Sequence, residues 1–427
     1  MSNTWPRLSI KDVCESIVDC VNKTAPTVEG PTPYKMIRTT NVKSGWIDIS
    51  TVKYVEEEVY KKWTRRIKPR KGDVILTREA PLGEVGMLRV NDNVFLGQRL
   101  VQYRANSNKL DNRFLLYSFL ANDLQGQIKS LGSGATVEHM RVPDAEKLTL
   151  RVPSLETQRK IASILSAYDD LIENNTRRIK ILEEMAQMIY REWFVKFRFP
   201  GHEKVKMVDV PVETLHATSL QKMPEGWEVK KLGEVCSLIK RGISPKYDDN
   251  SDQIVINQKC IRNFRLSLKE SRKHNSKVPA EKNVVQGDVL INSTGVGTLG
   301  RVAQVLQNIR DCTVDSHVTI VRRSAALDAD FLGLQLFELQ GHFESLGQGA
   351  TGQTELGREA IANTDFLLAP RELQDKFATI VKPIRELTIK LLEKNDNLRQ
   401  TRDLLLPKLI SGTVDVEGFD ININVET

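Results

Sequence analysis

The chain has 427 residues, 40% hydrophobic and 27% charged, which is ordinary for a globular protein with length enough for two to four domains. No run reaches the roughly 18 apolar residues of a membrane-spanning helix, and the opening residues lack the apolar core of a secretory signal. Five cysteines without a Cys-x-x-Cys pair point to a reducing cytoplasm rather than a zinc or disulfide framework, and a net charge of +7 favours an anionic partner.

Residues 1–153 read as a mixed α/β domain. Asp73–Thr77 and Leu100–Arg104 are β-branched runs bounded by turn formers, and Phe114–Leu120 is more helical. Residues 154–200 read as a long helical region and 201–223 as a polar linker. A second mixed domain spans 224–370, a second helical region 371–412, and a tail 413–427 alternates Val414, Val416, Phe419 and Ile421 in a strand-like way. That tail is expected to add a strand to the first domain.

The second half repeats the first. Trp5 through Cys14 returns at Trp227 through Cys236, and Lys71-Gly72-Asp73-Val74 at Gln286-Gly287-Asp288-Val289. Gly132-Ser133-Gly134-Ala135-Thr136 returns at Gly347-Gln348-Gly349-Ala350-Thr351, and Glu156-Thr157-Gln158 at Glu372-Leu373-Gln374. Ordered matches at nearly constant spacing make the chain a pair of equivalent units. Each is a globular segment followed by a long helix.

The first helical region carries Ile161, Leu165, Tyr168, Ile172, Asn175, Ile179, Leu182, Ala186, Ile189 and Trp193 at steps of three and four, a coiled-coil seam. The second gives Phe377, Ile380, Ile384, Leu387, Leu391, Lys394, Leu398, Thr401 and Leu405. Equivalent units related by a pseudo-twofold axis pair these helices antiparallel. Pro383 predicts a break near 382 and, by the repeat, near 166, leaving main helices of ~28 residues and ~42 Å. Asn175 either sets register as a buried polar group or is solvated where the seam widens.

Catalytic signatures are absent. No Asn/Asp-Pro-Pro-Tyr/Phe tetrapeptide or P-loop occurs, the six histidines lack ligand spacing, and Pro143-Asp144-Ala145-Glu146-Lys147 has the wrong spacing for a carboxylate–lysine nuclease. Gly295-Val296-Gly297-Thr298-Leu299-Gly300 fits a dinucleotide fingerprint, but the residues after it are β-like, so a glycine-rich strand connection is expected.

Pro224 through Val235, Gly287 through Gly295, the two Gly-x-Gly-Ala-Thr loops, the two Glu-x-Gln helix starts and Leu404 through Gly412 together resemble the specificity (S) subunits of type I restriction-modification enzymes. The resemblance covers nearly the whole chain. It implies an α+β architecture of two similar target recognition domains separated by two long helices in an antiparallel coiled coil. It also implies a non-catalytic chain with no cofactor of its own. Each domain would read half of a bipartite double-stranded DNA target while the helices set the gap. The chain would dock two methyltransferase (M) and two restriction (R) subunits, which would use S-adenosylmethionine, ATP and magnesium. A ~42 Å spacer suits about one turn of DNA, ~34–36 Å. The competing reading is a tandem-domain scaffold that binds other proteins.

Sequence-reading positions should differ between the copies, because half-sites differ, whereas framework positions agree. Arg38-Thr39-Thr40-Asn41 aligns with Asn257-Gln258-Lys259-Cys260; Arg78 belongs to the segment matched by Asn292, Ser293 and Thr294; Gln98 and Arg99 align with Ser316 and His317. Beyond the shared loop, the segment Val137 through Arg141, with His139 and Arg141, aligns with Gly352 through Leu356, with Gln353 and Thr354. These types suit base edges, while the shared Thr136 and Thr351 suit backbone positioning.

Overall fold

The computed structural model describes residues 5–133, 138–209, 222–347 and 354–421. The chain divides into two compact units, residues 1–174 with 394–427 and residues 175–393.

In the first unit, β1 (Cys14–Asp19), β2 (Tyr34–Ile37), β3 (Val74–Arg78), β4 (Leu82–Met87), β5 (Asn93–Leu96) and β6 (Leu100–Ala105) form two sheets. One is antiparallel in the order β1-β6-β3-β4; in the other β2 runs parallel to β5. Side chains alternate across a strand, so Val74 and Leu76 face α1 (Asn112–Leu120), while Ile75 packs with Ile37, Val94 and Leu96. Both faces of β3 are covered, which is why it reads as an unbroken apolar run. The helix α2 (Leu155–Tyr190) adds Ile161 and Leu165 to the same core.

The second unit repeats this plan with β7 (Cys236–Arg241), β8 (Ile254–Ile256), β9 (Val289–Asn292), β10 (Val302–Gln304), β11 (Cys312–Val314) and β12 (Val318–Arg323). Its antiparallel sheet is ordered β7-β12-β9-β10, and β8 runs parallel to β11. Val289 and Ile291 face α3 (Ala329–Glu338), while Leu290 packs with Ile256 and Val314. The segment expected to be a linker carries a short ribbon, Met207–Asp209 paired with Lys222–Pro224; residues 210–221 lie outside the described residues.

The repeated motifs are internal clamps. Gly72 turns the chain at φ 90°, and the buried Asp73 carboxylate accepts from Arg104 Nε at 2.8 Å and Nη2 at 2.7 Å. Asp288 accepts from Arg322 Nε and Nη2, both at 2.8 Å. Gln158 accepts from the Asp111 amide and donates to the Pro153 carbonyl; Gln374 does the same with Asp328 and Ala369. Asp111 and Asp328 in turn cap α1 and α3, so one glutamine ties the long helix to the sheet-covering helix in each unit.

The long helices are unbroken. α2 has 36 residues and α4 (Arg371–Ile410) has 40, so the breaks expected near 166 and 382 do not occur. Pro383 and Thr379 are exposed, so the Thr379 carbonyl that loses its partner faces solvent. Phe377, just before that turn, and Val381, within it, are buried in the second unit's core and hold the helix there.

The helices pair antiparallel within each unit. In the first, Arg402 meets Asp169 and Asn395 meets Ile172; in the second, Tyr190 meets Phe377 edge-on and Trp193 packs against it at a tilt. Ile161, Leu165, Ile172, Ile179 and Leu391 are buried, and Leu182, Ile189, Ile384, Leu398 and Leu405 are half-buried. The expected seam is wrong at alternate steps. Leu387 is 38% exposed, and the buried residues are Val381, Thr388 and Asn395, with Arg402 mostly covered. Apolar periodicity passes over such positions because they are polar, yet each polar group there is hydrogen-bonded. Asn175 is also buried, which favours the polar-seam alternative.

The tail joins the first unit through side chains. Val416 is in its core, and Lys160 Nζ donates to the Glu417 carbonyl at 2.9 Å. No strand forms over 413–421; residues 422–427 lie outside the described residues.

Candidate nucleic-acid interface

Two parallel strands and one hairpin bring the divergent segments of each unit together. In the first unit the Gly97 amide donates to the Ile37 carbonyl at 2.7 Å, setting Arg38 beside the turn that holds Gln98 and Arg99. The Arg78 amide donates to the Arg99 carbonyl at 2.8 Å, and the Met140 amide to the Arg78 carbonyl at 2.9 Å. Glu79 bridges His139 across the backbone and pairs with Arg99 at 3.3 Å. Gln98, Arg99 and His139 are exposed, and Arg38, Thr39 and Arg78 half-buried. Arg99 sits at φ 69°, a left-handed turn just before β6.

The second unit builds the same place with different groups. The Ser293 amide donates to the His317 carbonyl at 2.8 Å, and Thr294 Oγ1 lies 2.8 Å from His317 Nδ1 and 3.4 Å from Gln258 Oε1. Asp315, its carboxyl pushed up by burial, accepts from the His317 amide at 2.9 Å and holds that turn. Lys259 and His317 are exposed, and Asn257, Gln258, Thr294, Ser316 and Thr354 half-buried. Asn257 caps a short turn through the Lys259 amide.

Three expected reading residues are framework instead. Asn41, 2% exposed, accepts from the Arg38 amide and donates to Thr51 Oγ1. Asn292 and Ser293 are fully buried; Asn292 donates to the Gln258 carbonyl and Ser293 bonds Thr319. Arg141 is exposed but spends Nε on Asp144, which Lys147 also contacts. Those two hydrogen bonds, Lys147's the larger influence, hold Asp144 below the usual carboxylate range, so the motif that superficially resembled a nuclease is a local ion cluster. Thr136, Thr351 and Gln353 lie outside the described residues. Sequence comparison missed Arg241, which pairs with Glu355 and donates to the Leu356 carbonyl at 2.8 Å beside Thr294. Nothing in its local pattern marks it, since only the fold brings β7 to this loop.

Gly295 through Gly300 leads into the strand β10 rather than a helix, so the run is a hairpin connection and lacks the helix terminus of a dinucleotide site. Among the described residues no cluster of histidine, cysteine and carboxylate side chains could hold a metal ion, and no helix is long and apolar enough to cross a membrane. Each unit thus displays amide, imidazole, hydroxyl and cationic groups on one rigid end. These are groups able to pair with base edges and phosphates.

Two stretches, residues 2–184 and 224–398, match the model of the type I restriction modification DNA specificity domain. The chain is 26% identical over 383 residues to the type I restriction enzyme MjaIX specificity subunit of Methanocaldococcus jannaschii, spanning 85% of this chain and 82% of that one. It is 21% identical over 415 residues to the HindI specificity subunit of Haemophilus influenzae, spanning 81% and 87%. Its fold is similar to the crystal structure of a type I restriction-modification S subunit from M. genitalium, with a TM-score of 0.57, 18% identity and coverage of 96% and 97%. With the family's domain matched twice and across most of its length, this chain belongs to the type I restriction-modification DNA specificity subunits and carries two target recognition domains.

Proposed function

We propose that each unit reads one half of a bipartite DNA target and that the paired helices set the gap between the halves. The observation that carries this reading is the gathering of divergent polar residues onto one end of a framework that is otherwise the same in both units. Exposed Gln98, Arg99, His139, Lys259 and His317, with Arg38, Thr39, Arg78, Asn257, Gln258, Thr294, Ser316 and Thr354 beside them, are the reading set. Both helices contribute residues to both units, which supports a spacer role.

The chain has no catalytic role of its own in this reading. It docks two methyltransferase subunits and, through them, two restriction subunits in the cytoplasm; S-adenosylmethionine, ATP and magnesium belong to those partners. Paired docking is supported by outward apolar positions that occur twice. Leu171 and Leu387 are equivalent and 46% and 38% exposed; Met188 and Leu404 are equivalent and 57% and 67% exposed. Apolar side chains left out on a helix whose seam is already filled need a covering partner, and two equal sets suit two copies of one partner.

The test is selection of duplex DNA from a random pool by the chain assembled with its methyltransferase partner. A split motif is expected, with binding that weakens steeply as salt rises. Arg99→Ala should relax one base in one half-site at a cost of about 1–3 kcal/mol and leave the other half unchanged. Enrichment of no split motif would overturn the reading.

A further inference from the structure

Val296 is 80% exposed, more than any other large apolar side chain among the described residues. It stands at the tip of the β9–β10 hairpin, one residue beyond Gly295 and two beyond Thr294, which bonds His317. The tip is braced from beneath. The Thr298 and Leu299 amides donate to the Gly295 carbonyl at 3.1 and 3.0 Å, and the Gly300 amide to the Asn292 carbonyl at 2.8 Å. Arg301 Nη2 donates to the Gly297 carbonyl at 2.7 Å. Leu299 packs on the second unit's core, so the hairpin has an apolar residue for burial and it is not Val296.

Glycine is needed where this tip closes. At Gly295, with φ 104°, an added Cβ would lie 2.7 Å from Gln258 Oε1; at Gly300, with φ 79°, it would lie 2.6 Å from the Glu344 amide nitrogen. The backbone bonds of the tip therefore place a valine in solvent beside the reading residues. In the first unit the matching hairpin turns at Glu79-Ala80-Pro81, and Ala80 and Pro81 are likewise exposed. An exposed apolar tip next to polar reading groups in both units matches a major groove, whose only apolar base feature is the thymine methyl group.

We propose that Val296 is a specificity-determining contact that packs against the C5 methyl group of a thymine in the half-site read by the second unit. The inference rests on the DNA-reading role proposed above. It adds that this half-site includes an A·T pair whose recognition is apolar, and that the preordered tip makes the contact without reorganising. Burying one methyl group there is worth about fourfold in affinity.

The experiment uses the full chain assembled with its methyltransferase partner. Once the split motif is known, each thymine of both half-sites is replaced singly by deoxyuridine, which removes only the methyl group. Wild-type and Val296→Ala complexes are then titrated against every duplex. One substitution in one half-site is expected to weaken wild-type binding about fourfold and to have no effect on Val296→Ala, which binds the parent duplex correspondingly less well. Because Val296 touches no core, the variant's thermal midpoint should equal that of wild type, and Val296→Thr should restore part of the methyl sensitivity. If the penalties for every thymine persist in Val296→Ala, or if the second unit's half-site contains no A·T pair, the inference is overturned. A wild-type complex that selects no split motif defeats the DNA-reading role itself, a failure visible before any variant is made.

Discussion

The two units solve one packing problem differently where the long helices cross the sheet-covering helix. In the first, Arg402 Nη1 donates to Asp169 at 2.6 Å and Tyr117 Oη donates to the same carboxylate at 2.7 Å, with Asp169 4% exposed. At the equivalent positions of the second stand Ala186, Arg385 and Leu334, and all three line a cavity of about 190 Å³. Arg385, which stands where the first unit has Asp169 and faces Ala186 where the first unit has Arg402, pairs instead with Asp330; burial, the larger influence, lowers the arginine and raises the aspartate. Duplication thus preserved the backbone plan while the interior charges were rearranged. The difference teaches that a buried ion pair here is one local answer rather than a requirement of the fold.

The sharpest way to break the comparison is Arg402→Ala. It leaves Asp169 buried with only Tyr117, so the first unit should lose about 3–5 kcal/mol, read by urea unfolding or hydrogen exchange. Replacing the set together, Asp169→Leu with Arg402→Met and Tyr117→Phe, should be close to neutral. A single change as mild as the triple would show that the pair is solvated. In the second unit, Ala186→Leu extends into the cavity and should stabilise by about 1 kcal/mol. Destabilisation there would mean that the space is already needed by its neighbours.

The smallest expected effect concerns His274, buried with Nδ1 accepting from the Ser276 amide and Nε2 without a partner. Burial lowers its pKa from 6.5. The folded state then binds its proton less readily than the unfolded chain. Stability is full above pH 6.5 and falls as the pH drops through the lowered value. His274→Leu should therefore move the acid transition of the second unit to lower pH, as followed by fluorescence. An unmoved transition would assign acid sensitivity to other groups.

The repeat made much of the fold legible, because a residue that recurs at constant spacing declares a framework role without any structure. Gly72-Asp73 and Gln158 are read this way, and each is a clamp with a counterpart at Gly287-Asp288 and Gln374. Half of the α4 seam was legible as well. Ile384, Leu391, Leu398 and Leu405 carry apolar side chains, whereas Thr388, Asn395 and Arg402 hide in the interior behind polar ones. Asn41, Asn292 and Ser293 misled for the converse reason. An amide or hydroxyl suits a base edge and a buried backbone turn equally, and only burial separates the two uses. Val296 carries no mark in the sequence, because the glycines around it read as a strand connection and only its exposure sets it apart.

The Asp73–Arg104 and Asp288–Arg322 clamps are the same in both units, whereas the groups proposed to read DNA differ between them, so in the proposed reading target choice varies over a constant framework. Substitutions confined to exposed members of the proposed reading set, such as Gln98 and Lys259, should therefore change stability little. A gene with two like halves also holds an internal stock of interchangeable readers. In the proposed reading, exchanging the halves would keep the shared clamps while changing the groups set at the reading end.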